Sequence, residues 1–364
     1  MSSEFISILE VYIFMKRKIT LALLIILVMA VSASAFSGRE KWTFQPDSSV
    51  TSGIAISGNT LFFGSETGRF YALNKNSGQV IWDFKTSNTI YGNPAIIGDR
   101  VVFAQADGEI ICLNISDGSP VWSSGGNVVR DERNRTVNDG LFDGATPGGG
   151  MLFVSKADQK LHALSDKDGK TVWTYTSGSQ GLREAPAYSD GLVFLGEYDG
   201  IFSIIDAKTG KRLNGGGAGG AINTPTVSNG NVYFSSWDGS VNAVKIKGVE
   251  PLWNVNVHDT ITTQPAVEGG KIVVGTGRGA VIALGENNGR TLWRFNTNGG
   301  NISATPVIAD GLVFAGGEAG GMFVLDASTG RRVGQLVENE GINADALYSD
   351  GVLYFGGSAL YAYE

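Results

Sequence analysis

Few residues in this 364-residue chain are placed to do covalent or metal chemistry. Its two histidines, His162 in KLHALS and His258, lie about a hundred positions apart, without the close spacing that metal ligands adopt. His162 occupies a strand-like position and reads as packing; His258 falls in a turn. Cys112 is the single cysteine, so no disulfide can form within the chain. There is no GxSxG elbow and no phosphate-cradling glycine loop. Asp107-Gly108, Asp199-Gly200 and Asp238-Gly239 lack the successive acidic positions of a calcium cage and read as turns. No catalytic, cofactor-binding or metal-binding residue is assigned, and no cofactor is expected. What remains is recognition chemistry. Arg130, Arg133 and Arg135 in VVRDERNRTVNDGLF, with Arg183, Tyr198 and Trp237, are candidate partner-binding residues. Arginine and aromatic side chains are the usual anchors of protein interfaces.

The elements that carry these residues follow from a repeat. Trp42, Trp82, Trp122, Trp173, Trp253 and Trp293 are spaced 40, 40, 51, 80 and 40 residues apart, the 80 being two periods with Leu213 in place of the ring. Self-similarity at about 40 residues marks a repeat architecture. Each copy holds four short runs rich in Val, Ile, Phe and Tyr, as in SGNTLFFGSETGRFYALNKNSGQVIWDF at 57–84. Gly, Asp-Gly or Asn-Gly bounds each run, the chemistry of tight hairpins. Four antiparallel strands per unit make a β-propeller blade. The first strand, A, recurs near Ile54, Ala95, Pro147, Pro186, Pro225, Pro265, Pro306 and Ala346, giving eight blades. The eighth copy ends before a tryptophan run, whereas Glu40–Phe44 (EKWTF) is such a run without a blade before it. The prediction is an all-β, eight-bladed β-propeller whose N-terminal strand completes the last blade and removes an open edge. One tryptophan per blade, burying about 150–250 Å², is expected to clamp it to its neighbour.

In this topology the D-to-A connections and B-to-C turns share one face. That face receives Tyr91, Arg183, Glu184, Glu197, Tyr198, Trp237, His258, Arg278, Glu318 and the long insertion between Trp122 and Pro147. Loops on a rigid scaffold are where binding residues collect. Of three Asn-x-Ser/Thr triplets, at Asn114, Asn134 and Asn301, only Asn134 falls in the insertion and is a candidate glycan acceptor.

Residues 1–35 read as an export signal with an extended start: Lys16-Arg17-Lys18, the apolar run Ile19–Val31, and Ala33-Ser34-Ala35 before Phe36, with Met15 as the expected natural start. Retention of the segment as an anchor is the alternative. Residues 36–364 are expected to be one propeller domain, exported to the periplasm, cell surface or medium, monomeric, and without a stable membrane span after cleavage. Removing three basic and two acidic residues with the signal takes the formal charge from −7 to −8. That charge, with no long basic run, argues against nucleic-acid binding.

The unit pattern, Pro-x then DGxVxFG, DGxxxALD and xTGxxxW, resembles the repeat of pyrroloquinoline-quinone enzymes and their non-enzymatic relatives over 38–364. WD40 propellers differ: their Gly-His signature is missing, and Trp237-Asp238 lies in a turn. The resemblance implies two branches. Quinone dehydrogenases are longer, hold the quinone against a disulfide of adjacent cysteines, and bind calcium through Glu, Asn and Asp. No such residues can be carried over here. The short branch resembles the lipoprotein of outer-membrane barrel assembly and implies a protein-binding scaffold. The expectation is therefore a non-enzymatic propeller that binds a protein or peptide of the cell envelope through its loop face. The alternative is a quinone- or carbohydrate-dependent protein using the channel mouth.

Overall fold

The computed structural model describes residues 36–125 and 144–364, apart from the single positions 157, 179, 180, 183, 298 and 319. Among these residues stand eight four-stranded antiparallel sheets arranged as a propeller. Blade 1 is β2–β5 (Ala55–Ser57, Thr60–Gly64, Arg69–Asn74, Val80–Lys85). Blade 2 is β6–β9 (Ile90–Ile97, Arg100–Gln105, Ile110–Asn114, Pro120–Ser124) and blade 3 is β10–β13 (Thr146–Gly148, Met151–Lys156, Lys160–Ser165, Thr171–Thr176). Blade 4, β14–β17, spans Ala187–Ser189, Leu192–Gly196, Ile201–Asp206 and Arg212–Gly217. Blade 5, β18–β21, spans Thr226–Ser228, Asn231–Ser235, Ser240–Lys245 and Glu250–Asn256. Blades 6 and 7 are β22–β25 (Ala266–Glu268 to Thr291–Asn296) and β26–β29 (Val307–Ala309 to Arg332–Leu336). Blade 8 takes β30–β32 (Leu347–Ser349, Val352–Gly356, Leu360–Tyr363) and, as its outer strand, β1 (Glu40–Phe44).

This closure matches the expectation. Trp42 pairs with Ala362 and Phe44 with Leu360. The ends are tied further by reciprocal backbone bonds between Arg39 and Glu364 at 3.1 and 2.9 Å and by the ion pair of their side chains. The A-to-B hairpins explain the Asp-Gly and Asn-Gly links. Asp190-Gly191, Asn229-Gly230, Asp310-Gly311 and Asp350-Gly351 each place two successive residues at positive φ, the geometry of a type I′ turn. Seven of the eight A strands have three residues; β6 has eight. Pro186, Pro225, Pro265 and Pro306 immediately precede theirs, where proline's missing N–H takes nothing from a ladder.

The apolar core is a series of seams between blades. Deep in the seams, Phe70 stacks on Phe103 at 4.0 Å and Phe202 on Phe234 at 4.2 Å. Further out, the six repeat tryptophans do what their spacing predicts. Each indole N–H donates to a carbonyl in the next blade: Lys75, Ile115, Asp166, Ala207, Glu286 and Ala327, at 2.8–3.3 Å. Each ring also lies on a turn glycine of that blade: Gly78, Gly118, Gly169, Gly210, Gly289 or Gly330. Their φ values are 66–71°. A Cβ at any of these glycines would come within 2.5–2.7 Å of the indole, so the glycine is required by both its conformation and the ring.

The strand pairing corrects one expectation. Trp82 pairs with Ala72, whereas in blade 4 the equivalent Ile204 pairs with Asn214. Asn214 therefore takes the place of the ring. Leu213 corresponds to Ile81, on the outward side, and is 54% exposed. Counting fixed periods missed the shift because blade 4 runs one residue longer. Blade 7 also lacks the ring, with Gly334 opposite Val324.

Candidate functional site

One end of the ring gathers the D-to-A connections and the B-to-C turns, as expected. Asn88 Nδ2 donates to Asp107 Oδ2 at 2.7 Å, and Gly219 N to Asp238 Oδ2 at 2.7 Å, each joining a connection to the adjacent turn. Trp237 stands at the B-to-C turn of blade 5. Its backbone N–H donates to Ala221 O at 2.9 Å, and its indole N–H to Asn223 Oδ1 at 3.1 Å. Asn223 is itself held, donating to Ser235 Oγ and Ile261 O at 2.9 and 3.1 Å. The next residue, Asp238, also accepts from Ser240 N at 2.8 Å. Burial pushes the Asp238 carboxyl up, but hydrogen bonds from Ser240, Gly219 and Ser236 prevail and hold it below the usual carboxylate range. Trp237 is thus pinned, yet 43% exposed. Tyr198, on the corresponding turn of blade 4, meets it edge to face at 5.8 Å. The two rings form a preset aromatic shelf across blades 4 and 5.

Beside the shelf opens the channel. Its mouth is a recess lined by polar side chains, including Asn93, Glu184, Thr224, Gln264, Ser303 and Asp345. Asn93 of blade 2 reaches over Gly53 to donate to Asp345 Oδ2 of blade 8 at 3.1 Å. A Cβ on Gly53 would sit 1.6 Å from the Asn93 amide oxygen. Asp345 Oδ1 accepts from Thr305 N at 2.7 Å, and Glu184 Oε2 from Thr224 Oγ1 at 3.1 Å. An adjoining groove is lined by Pro94, Pro147, Pro186 and Pro225. This mouth was not read from the sequence, although a signal existed: the positions just before each strand-A proline supply much of the lining.

The predicted site residues separate into groups. Tyr198 and Trp237 come together. Arg130, Arg133, Arg135, Arg183 and Asn134 lie outside the described residues. Glu197 is 1% exposed, inside the seam, accepting from Ser177 Oγ at 2.6 Å and Ser203 Oγ at 2.8 Å, so it is not displayed on the face. His258 is exposed in a left-handed turn, φ 58°. His162 is buried in β12, its Nε2 2.9 Å from Asp158 Oδ2. Burial pushes its pKa down, against the pull of Asp158. Cys112 lies beneath Trp122 at an outer seam, and burial raises its thiol to about 11. The adjacent-cysteine clamp of quinone enzymes has no counterpart in a chain with this one cysteine. Among the described residues no three His, Cys, Asp or Glu side chains group as a metal site.

Comparison with known proteins now bears on this architecture. The family model described as outer membrane protein assembly factor BamB matches residues 27–141, 124–213 and 237–364. The chain belongs to this family. Among its curated relatives is the BamB of Yersinia pestis, 25% identical over 225 residues, 56% of each protein. A BamB of Shewanella oneidensis is 25% identical over 212 residues, 50% of this chain and 53% of that protein. The chain thus spans about half the length of the curated relatives it matches. The chain is also similar to a quinohemoprotein alcohol dehydrogenase of Pseudomonas putida, 27% identical over 173 residues, 43% of this chain but 20% of that enzyme. The crystal structure of BamB from Moraxella catarrhalis superposes with a TM-score of 0.75, covering 90% of this chain and 99% of the other at 17% identity. That likeness establishes the shared fold.

Proposed function

We propose that this chain is an exported, non-catalytic propeller that binds a protein partner in the cell envelope through its loop face. The observation that carries the reading is the shelf of Trp237 and Tyr198. A large ring left 43% exposed, yet held by its own N–H groups to Ala221 and Asn223, loses little freedom on binding. Fixed aromatic side chains of this kind anchor interfaces. Arg130, Arg133, Arg135 and Arg183 belong to the connections entering and leaving blade 3 and supply guanidinium groups for acidic groups of the partner. Resemblance to proteins named as outer-membrane assembly factors supports the scaffold role and the envelope location, and the 1–35 segment supports export.

The test is capture of partners from the native envelope fraction by the processed chain, compared with Trp237→Ala/Tyr198→Ala and with Arg130, Arg133 and Arg135 changed together to Ser. Loss of the same bound protein in both variants is expected. Equal recovery by all three would sink the reading. Reduction of an artificial electron acceptor by alcohols or sugars, after quinone and calcium are added, would replace it with an enzymatic one.

A further inference from the structure

The outer strand of blade 4, Arg212-Leu213-Asn214-Gly215-Gly216-Gly217, is exposed at all six positions. In blades 1 and 3 the same strand turns alternate residues inward: Trp82 and Phe84, or Trp173 and Tyr175. Here the inward positions hold Asn214 and Gly216. Glycine within a strand costs stability and marks a bulge, a bend or close approach of another backbone. None of Gly215, Gly216 and Gly217 has positive φ, so the backbone does not demand them. Gly215 is accounted for internally, because Arg212 folds across it with Nε donating to Ser203 Oγ at 3.0 Å. Gly216 is not. A Cβ there would meet nothing within 4 Å, where Phe84 and Tyr175 fill the other seams. The edge also lacks the usual guards. Residues 213–217 contain no charge and no proline, unlike the outer strands of blades 2 and 5 with Pro120 and Pro251.

One end of the strand is basic. Lys208, Lys211 and Arg212 are exposed and form no ion pair among the described residues; the nearby Asp206 is turned onto Thr209 Oγ1 at 2.6 Å. We propose that blade 4 accepts an extended segment of a protein partner as a fifth strand. The segment pairs its backbone with β17, places a bulky apolar side chain in the open space beside Gly216, and sets acidic residues against Lys208, Lys211 and Arg212. Strand addition draws affinity from main-chain hydrogen bonds and specificity from side-chain pockets. The proposal goes beyond the loop-face reading and does not depend on it.

The test uses fluorescence anisotropy of a labelled peptide, Asp-Glu-Thr-Val-Thr-Phe-Thr-Val, against the processed chain. The same peptide with alternate amides N-methylated has the same side chains but a blocked backbone. Saturable binding by the first and about tenfold or more weaker binding by the second are expected. Gly216→Phe fills the open space from within and should weaken binding by a similar factor. Lys208→Glu/Lys211→Glu, which touches only exposed side chains, should also weaken it, while Trp237→Ala leaves it unchanged. Circular dichroism verifies that each variant is folded. Absence of saturable binding, equal binding of the methylated peptide, or binding lost in Trp237→Ala and kept in Gly216→Phe would overturn the proposal. Only the last outcome bears on the loop face, so the two readings fail separately.

Discussion

Six seams of this ring are closed on the outside by a tryptophan seated on a glycine, and the seam between blades 4 and 5 is not. Three positions change together there. The ring becomes Asn214, the small residue paired with it (Ala72, Cys112, Ala163, Ala243, Ala283 or Ala362 elsewhere) becomes Ile204, and the turn glycine becomes Val249 at φ 53°. Deep in the seam nothing is lost, since Phe202 still stacks on Phe234. The tryptophans are therefore outer clamps, and ring closure does not need one at every seam. A valine at the turn excludes the indole, and without the indole there is room for isoleucine beneath. The seam between blades 7 and 8 supports this logic. In blade 8 the two outer strands, β32 and β1, are not joined by a hairpin, so the glycine turn is missing, and the facing blade carries Gly334 in place of the ring.

The severest way to break the comparison is to remove a clamp together with its strand. Deleting residues 36–44 takes away Trp42 and Phe44, which pack against the cluster containing Leu61, Tyr71 and Tyr354. At about 3–5 kcal/mol per large aromatic lost from a core, the chain should lose roughly 6 kcal/mol or more. Urea unfolding followed by circular dichroism measures it, and a synthetic peptide of residues 36–48 should restore part of the loss. A midpoint unchanged by the deletion would show that closure contributes nothing.

A smaller change carries the open seam's residue into a closed one. Gly118→Val puts a branched side chain at φ 71°, with its Cβ 2.7 Å from the Trp82 ring. Backbone strain of about 1–3 kcal/mol adds to overpacking of about 1–3 kcal/mol, so a loss near 3 kcal/mol is expected. If unfolding free energy falls by less than about 1 kcal/mol, the glycine is not coupled to the indole in the way argued.

The reverse experiment sharpens the same point through a change of sign. Asn214→Trp alone meets Val249 and should destabilise. Combined with Ile204→Ala and Val249→Gly it rebuilds the common seam, and should stabilise by about 1–2 kcal/mol, as cavity-filling changes commonly do. Residues in contact show such non-additivity in mutant cycles. Additive effects of the three changes would remove the coupling. The triple variant also occupies space beside Gly216 on the same side of the strand, so it should weaken the strand-forming peptide.

What the sequence revealed divides along the same line. Blade number, strand order, closure by Glu40–Phe44 and the clamping indoles were legible because each rests on a pattern repeated through the chain: turn glycines, apolar runs and the 40-residue period. The exceptions were not legible. Leu213 was placed one position away from the true substitution, because a fixed count cannot register one added residue, whereas strand pairing can. Glu197 was expected on the loop face, yet it is drawn into the seam by Ser177 and Ser203, contacts across 20 and 6 positions that no local pattern encodes. The polar mouth escaped notice for a related reason. Asn93 and Asp345 meet across 252 positions, and only the closed ring brings them together.

The smallest expected effect lies on the connection from β1 into blade 1. Asp47 accepts from Ser65 Oγ at 2.9 Å and Thr67 Oγ1 at 2.7 Å, and its Oδ2 lies 3.3 Å from Arg69 Nε. Burial pushes this carboxyl up, but the hydrogen bonds from Thr67, Ser65, Tyr71 and Arg69 outweigh it and hold it at about 2. A carboxyl depressed in the folded state binds fewer protons than in the unfolded chain between the two pKa values. Its stabilisation is therefore complete above the ordinary value of 3.8 and is lost as pH falls toward about 2. The side chain is 32% exposed, so solvent screening reduces the contribution to about 1 kcal/mol. Asp47→Asn should lower the unfolding free energy by that amount at pH 7, and the gap between variant and parent should close near pH 2. A gap that persisted undiminished in acid would assign the loss to altered packing, leaving the seal at the first connection to β1 and its indole alone.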